Sequence, residues 1–79
     1  MDIKQAKLGD LYRESARLSF LARSSASAAW TAQTAGHPRA AARALEIAAA
    51  HAIEASRLLE QLAKAFQDEC DDVLEPELT

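Results

Sequence analysis

The residues of this chain that could do chemistry are few: two histidines, His37 and His51, one cysteine, Cys70, and scattered carboxylates. Glu54 follows His51 by three positions, which puts an imidazole and a carboxylate on one helical face. Carboxylate-bridged helical bundles hold metal with the opposite order, Glu-x-x-His, and add further glutamates from other helices. His37 stands between Gly36 and Pro38 and reads as a helix-start residue. Cys70 lies among Asp68, Glu69, Asp71 and Asp72, whose negative charge disfavours a thiolate, so it reads as a small core residue. No glycine-rich phosphate loop, nucleophile–base pair or zinc-ligand spacing occurs. No catalytic residue, cofactor or metal is expected, and the chain is not read as an enzyme.

The string Ala50-His51-Ala52-Ile53-Glu54-Ala55-Ser56 is similar to the phosphoacceptor segment of histidine phosphotransfer domains, a resemblance that would make His51 a phosphate acceptor. The Lys and Gly that follow that family's histidine at three and four positions are replaced here by Glu54 and Ala55. A carboxylate beside the acceptor would repel phosphate, and His51 is therefore read as a solvated residue on a helix flank.

Binding chemistry is better represented. Arg13, Arg17 and Phe20 are spaced i, i+4, i+7 and form one helical stripe, continued by Ser24, Ser27 and Thr31. Two guanidiniums beside an exposed ring could stack on RNA. Against this stand a sequence pI near 5.2 and a formal net charge of −3.

The elements that position these residues must be helices. Apolar residues make up 49% of the 79 positions, but about half of them are alanine, and β-branched and aromatic residues are scarce, which favours helix over sheet. Strong punctuation occurs once, at Gly36-His37-Pro38, with Gly suited to ending one helix and Pro to starting another. The expected fold is all-α, a single domain over residues 1–79, with helix 1 at about 3–35, a turn at 36–37, helix 2 at about 38–74 and a short acidic tail at 75–79. Asp2 and Gln5 resemble a capping box, and Gly9 is the weak point of helix 1.

Both helices carry apolar residues alternating by three and four, the pattern of a coiled-coil seam. Helix 1 offers Leu8, Leu11, Ser15, Leu18, Ala22, Ser25, Ala29 and Ala32. Helix 2 offers Leu45, Ala48, Ala52, Ala55, Leu59, Leu62, Phe66, Glu69 and Val73. Each seam is small near the turn and large near the termini, so the two match in an antiparallel hairpin in which Ala28, Ala29 and Ala32 face Ala41, Ala44, Ala48 and Ala52, and Leu8, Leu11 and Leu18 face Leu59, Leu62 and Phe66. Residues 1–43 hold seven Lys/Arg against three acids, and residues 44–79 two against nine. Lys4, Lys7 and Arg13 are therefore expected beside Asp68, Glu69, Asp71 and Asp72, an arrangement that selects register more than it stabilises.

A hairpin buries one stripe per helix, yet a second row of Ile47, Leu58 and Ala65 flanks the helix 2 seam. Helix 1 adds Leu21 and Ile3 on one side, Tyr12 and Trp30 on the other. A chain this short rarely builds an adequate core alone, and one unpaired cysteine forms no internal disulfide. Two hairpins pairing into a four-helix bundle, as a homodimer, is the simplest solution. The expectation is a cytoplasmic, non-enzymatic interaction module, an adaptor, chaperone, inhibitor or small regulator, that packs against another protein through Ile47, Leu58 and Phe20. The alternative is an RNA-binding regulator of ROP-like architecture that uses Arg13, Arg17 and Phe20. No membrane partner is expected: the longest stretch free of Asp, Glu, Lys and Arg, Ser24 to Pro38, is shorter than the roughly 20 apolar residues a spanning helix needs.

Overall fold

One turn decides the architecture. In the computed structural model, which describes the backbone of residues 3–73 and the side chains of residues 6–68, α1 spans Ile3–Thr34 and α2 spans Pro38–Val73. Between them Gly36 adopts φ +84°, a left-handed conformation that costs a residue with a Cβ about 1–2 kcal/mol. The amide of Gly36 donates to the carbonyl of Gln33 (3.1 Å) and that of His37 to the carbonyl of Ala32 (2.9 Å). This pair of bonds is the Schellman helix stop, and it satisfies carbonyls that the end of α1 would leave open. The His37 carbonyl then accepts the amide of Ala41 at 3.0 Å, making His37 the N-cap of α2 with Pro38 as its first residue, where a missing N–H costs nothing. His37 thus ends one helix and begins the next, as a helix-start residue should.

The two helices pack along their length as a hairpin about 56 Å long and 13 Å thick. On α1 the buried positions are Ser15, Leu18 and Ala29, with Leu8, Leu11, Ala22, Ser25 and Ala32 half-buried. These are the eight residues of the expected seam. Ser15 tolerates burial because its hydroxyl donates to the Tyr12 carbonyl at 2.8 Å, leaving no polar atom unpaired.

α2 is rotated from the expectation. Its buried ridge is Ala41, Ala48, Ala55 and Leu62, and the ridge beside it is Ala44, His51, Leu58 and Ala65, all half-buried. Leu45, Ala52, Leu59 and Phe66, expected in the core seam, are exposed instead, as is Ile53. Two stripes of α2 share the ridge through Ala48, Ala55 and Leu62, and both obey the four-three spacing. The stripe that faces α1 is the one with the smaller side chains near the turn, Ala41 and Ala44, which lets the axes approach closely opposite Ala29 and Ala32. Leu58 and Ala65, expected on the flanking row, consequently lie at the seam. His51, expected as a solvated flank residue, lies there too, level with the small side chains of Ala22 and Ser25 in the register set by the turn. The expected places of Val73, Cys70 and the acidic tail fall outside the described side chains.

Among the described residues Arg13 makes no ion pair across the helices. Arg13 binds Asp10 of its own helix, Nη2 to Oδ1, at 2.5 Å. Among the described residues the other ion pair joins Arg17 to Glu14, also within α1. Lys4, Glu69, Asp71 and Asp72 lie outside the described side chains.

Candidate interaction face

The seam leaves each helix with two flanks. In a right-handed helix the residue after a seam position is turned about 100° from it. Because α1 and α2 run in opposite directions, the residues that follow the seam positions fall on one flat side of the hairpin, and those that precede them fall on the other. The second side is verified directly. Lys7, Asp10 and Glu14 of α1 line one shallow groove with Leu58 and Gln61 of α2, and the charge of Glu54 acts on Arg17 across it.

That side is charged. Its α1 flank carries Lys7, Asp10, Glu14 and Arg17, and its α2 flank Arg43, Glu54, Arg57, Lys64 and Asp68. Arg17 Nε donates to Glu14 Oε2 at 3.0 Å, and Nη2 donates to Oε1. This bidentate bond, ahead of simple charge attraction, holds the Glu14 carboxyl below its usual range and raises Arg17.

The opposite side is almost free of charge. On α2 it presents Ala42, Leu45, Ala49, Ala52, Ser56, Leu59, Ala63 and Phe66, spaced alternately by three and four and every one exposed. α1 contributes Gly9, Tyr12, Ala16, Ser19, Arg23, Ala26, Trp30 and Gln33, with Arg23 the one formal charge. Trp30 is 72% exposed, Tyr12 64%, Leu45 55%, Phe66 52% and Leu59 49%. Single exposed apolar residues need no explanation, but a contiguous row of them on one face marks an interaction surface. The large side chains form two groups, Trp30 with Leu45 near the turn and Tyr12 with Leu59 and Phe66 near the termini, and small residues fill the space between.

The five residues singled out as partner contacts do not form one surface. Arg13 and Phe20 lie on the back of α1, turned away from α2, and both are exposed. Arg17 and Ile47 lie on the charged side, and Leu58 lies between the helices. The arginines of the stripe each bond a carboxylate three residues earlier. What sequence reasoning missed is the row from Ala42 to Phe66 as a free second seam. Its spacing is visible, but its three large residues, Leu45, Leu59 and Phe66, read by size as the hairpin core.

Among the described residues no group of three or more His, Cys, Asp or Glu could hold a metal ion, and no helix is long and apolar enough to cross a membrane. Compared with protein-family models, curated proteins and solved structures, the chain matches none.

Proposed function

We propose that this protein is a helix-packing interaction module that binds macromolecular partners through the uncharged side of the hairpin. One observation carries the reading: the eight-residue row from Ala42 to Phe66 on α2 repeats the coiled-coil spacing, bears no charge and is exposed throughout. Its place on α2, about 100° from the seam that holds α1, is where a helix in a four-helix bundle meets its second neighbour. Such a row has nothing to gain from water. It gains from another helix, at about 25 cal/mol per Å² of apolar surface covered. The roles this suits are those of an adaptor, chaperone, inhibitor or small regulator, none of which needs a reacting group.

RNA binding through Arg13, Arg17 and Phe20 draws less support, because both arginines are engaged by neighbouring carboxylates and the chain is net acidic. A pull-down from the cells that make the protein, with and without nuclease, decides between the two. The reading expects capture that survives nuclease and disappears in the Leu45→Glu/Leu59→Glu variant. Capture that nuclease abolishes, that this variant keeps and that Arg13→Ala/Arg17→Ala loses would overturn it.

A further inference from the structure

Resting on that reading, we propose that the occupant of the uncharged face is a second copy of this chain, docked head to tail so that the turn of each hairpin lies over the open end of the other. Three observations, from area, shape and charge, converge on this arrangement.

Area comes first. The chain exposes 6393 Å², whereas a compact monomer of its 8.5 kDa mass exposes roughly 4,700 Å². The excess is larger than the roughly 800 Å² per chain that a standard protein interface covers. The surface a stable dimer needs is therefore already present.

Shape comes second. Laid antiparallel on its own copy, the α2 row is self-complementary about Ser56. Leu45 meets Phe66 of the partner subunit, Ala52 meets the partner's Leu59, Ala49 meets the partner's Ala63, and Ser56 sits at the two-fold axis. In the hairpin register, in which Arg17 lies across from Glu54, the same axis falls on α1 near Ser15 and Ala16, so Tyr12 meets the partner's Ser19.

Charge fixes the direction. Residues 15–45, from the middle of α1 round the turn into α2, hold four arginines and no acid, while residues 68–77 hold six acids and no base. A head-to-tail pair brings the basic turn of each copy toward the acidic end of the other. Hairpins docked with their turns together would place acid beside acid.

Thiols introduced at the axis report the arrangement. Ser56→Cys is made in a Cys70→Ser background, with Arg57→Cys on the charged side as the comparison and a mild oxidant such as diamide. The head-to-tail pair predicts that Ser56→Cys cross-links to a covalent dimer at least tenfold faster than Arg57→Cys, and that denaturant abolishes the difference. Light scattering on the unsubstituted chain should give twice the 8.5 kDa mass. Equal rates at the two positions, or cross-linking of Ser56→Cys only when mixed with Ala16→Cys, would overturn the head-to-tail geometry. A mass of one chain up to hundreds of micromolar would overturn self-association. In that last case nuclease-resistant capture lost in Leu45→Glu/Leu59→Glu would still support the interaction module, whereas loss of both would end it too.

Discussion

The two flat sides of the hairpin are made by the same two helices, turned about 100° in opposite senses from one seam, yet their chemistry is sorted. One side mixes acids and bases on both helices, with Lys7, Asp10, Glu14 and Arg17 opposite Glu54 and Arg57. The other holds a single arginine, three aromatics and two leucines, the last five all about half exposed or more. A hairpin that worked alone in water would have no cause to keep charge off one side. The sorting favours a partner on the uncharged side.

The largest expected effect breaks the hairpin and leaves both sides meaningless. Leu18 and Leu62 are 3% and 5% exposed, and truncating either to Ala should cost about 2–4 kcal/mol of unfolding free energy in denaturant titrations. Leu59, three residues from Leu62 but 49% exposed, should behave differently. Leu59→Ala leaves monomer stability within about 1 kcal/mol and weakens association by about 2 kcal/mol, or roughly 30-fold in Kd by sedimentation.

Next in size is the turn that sets the register between the sides. Gly36→Ala should destabilise by about 1–2 kcal/mol, because its φ of +84° is strained for any residue with a Cβ, although nothing lies within 4 Å of the added atom. Gly9→Ala should do the reverse and stabilise by about 1 kcal/mol. Its added Cβ would meet only the flexible Arg13 guanidinium, at 3.5 Å.

The smallest effect belongs to the charged side. Glu14 carries a carboxyl lowered by its hydrogen bonds from Arg17. A depressed folded-state pKa contributes stability above the unfolded value, and that contribution is lost as pH falls through the folded one. Because the pair is solvent-exposed, the change in melting should be slight and further screened by salt. Arg17→Ala should raise the Glu14 pKa toward the ordinary carboxylate range, as read by NMR titration, without altering association.

The hairpin was legible because its signals are local and redundant. Gly36-His37-Pro38 provides the helix stop, the cap and the first residue in three consecutive positions, and α1 offers one apolar stripe only. α2 was harder to read because it carries two. Ala48, Ala55 and Leu62 belong to both stripes, so the sequence marks the ridge but not the direction in which the helix is turned. Size suggested Leu45, Leu59 and Phe66 for the core. Ala41 and Ala44 face α1 at the alanine-rich turn, as expected, and the stripe that continues from them through His51, Leu58 and Ala65 leaves the larger residues outside. Arg13 pairs within its own helix for a local reason. A long side chain on the back of α1 reaches Asp10, one turn away, before it can reach another helix.

Trp30, the only tryptophan of the chain, lies on the uncharged side and reports on the central claim without any substitution. In the isolated hairpin its indole is 72% exposed, and in the head-to-tail pair it borders the contact of Leu45 with the partner's Phe66. The decisive measurement is its emission and acrylamide quenching across a dilution series, from hundreds of micromolar downward. The account predicts blue-shifted, protected emission at high concentration that turns red and quenchable on dilution, and that is red throughout in Leu45→Glu/Leu59→Glu. Emission of a fully solvated, freely quenched indole at every concentration would contradict it.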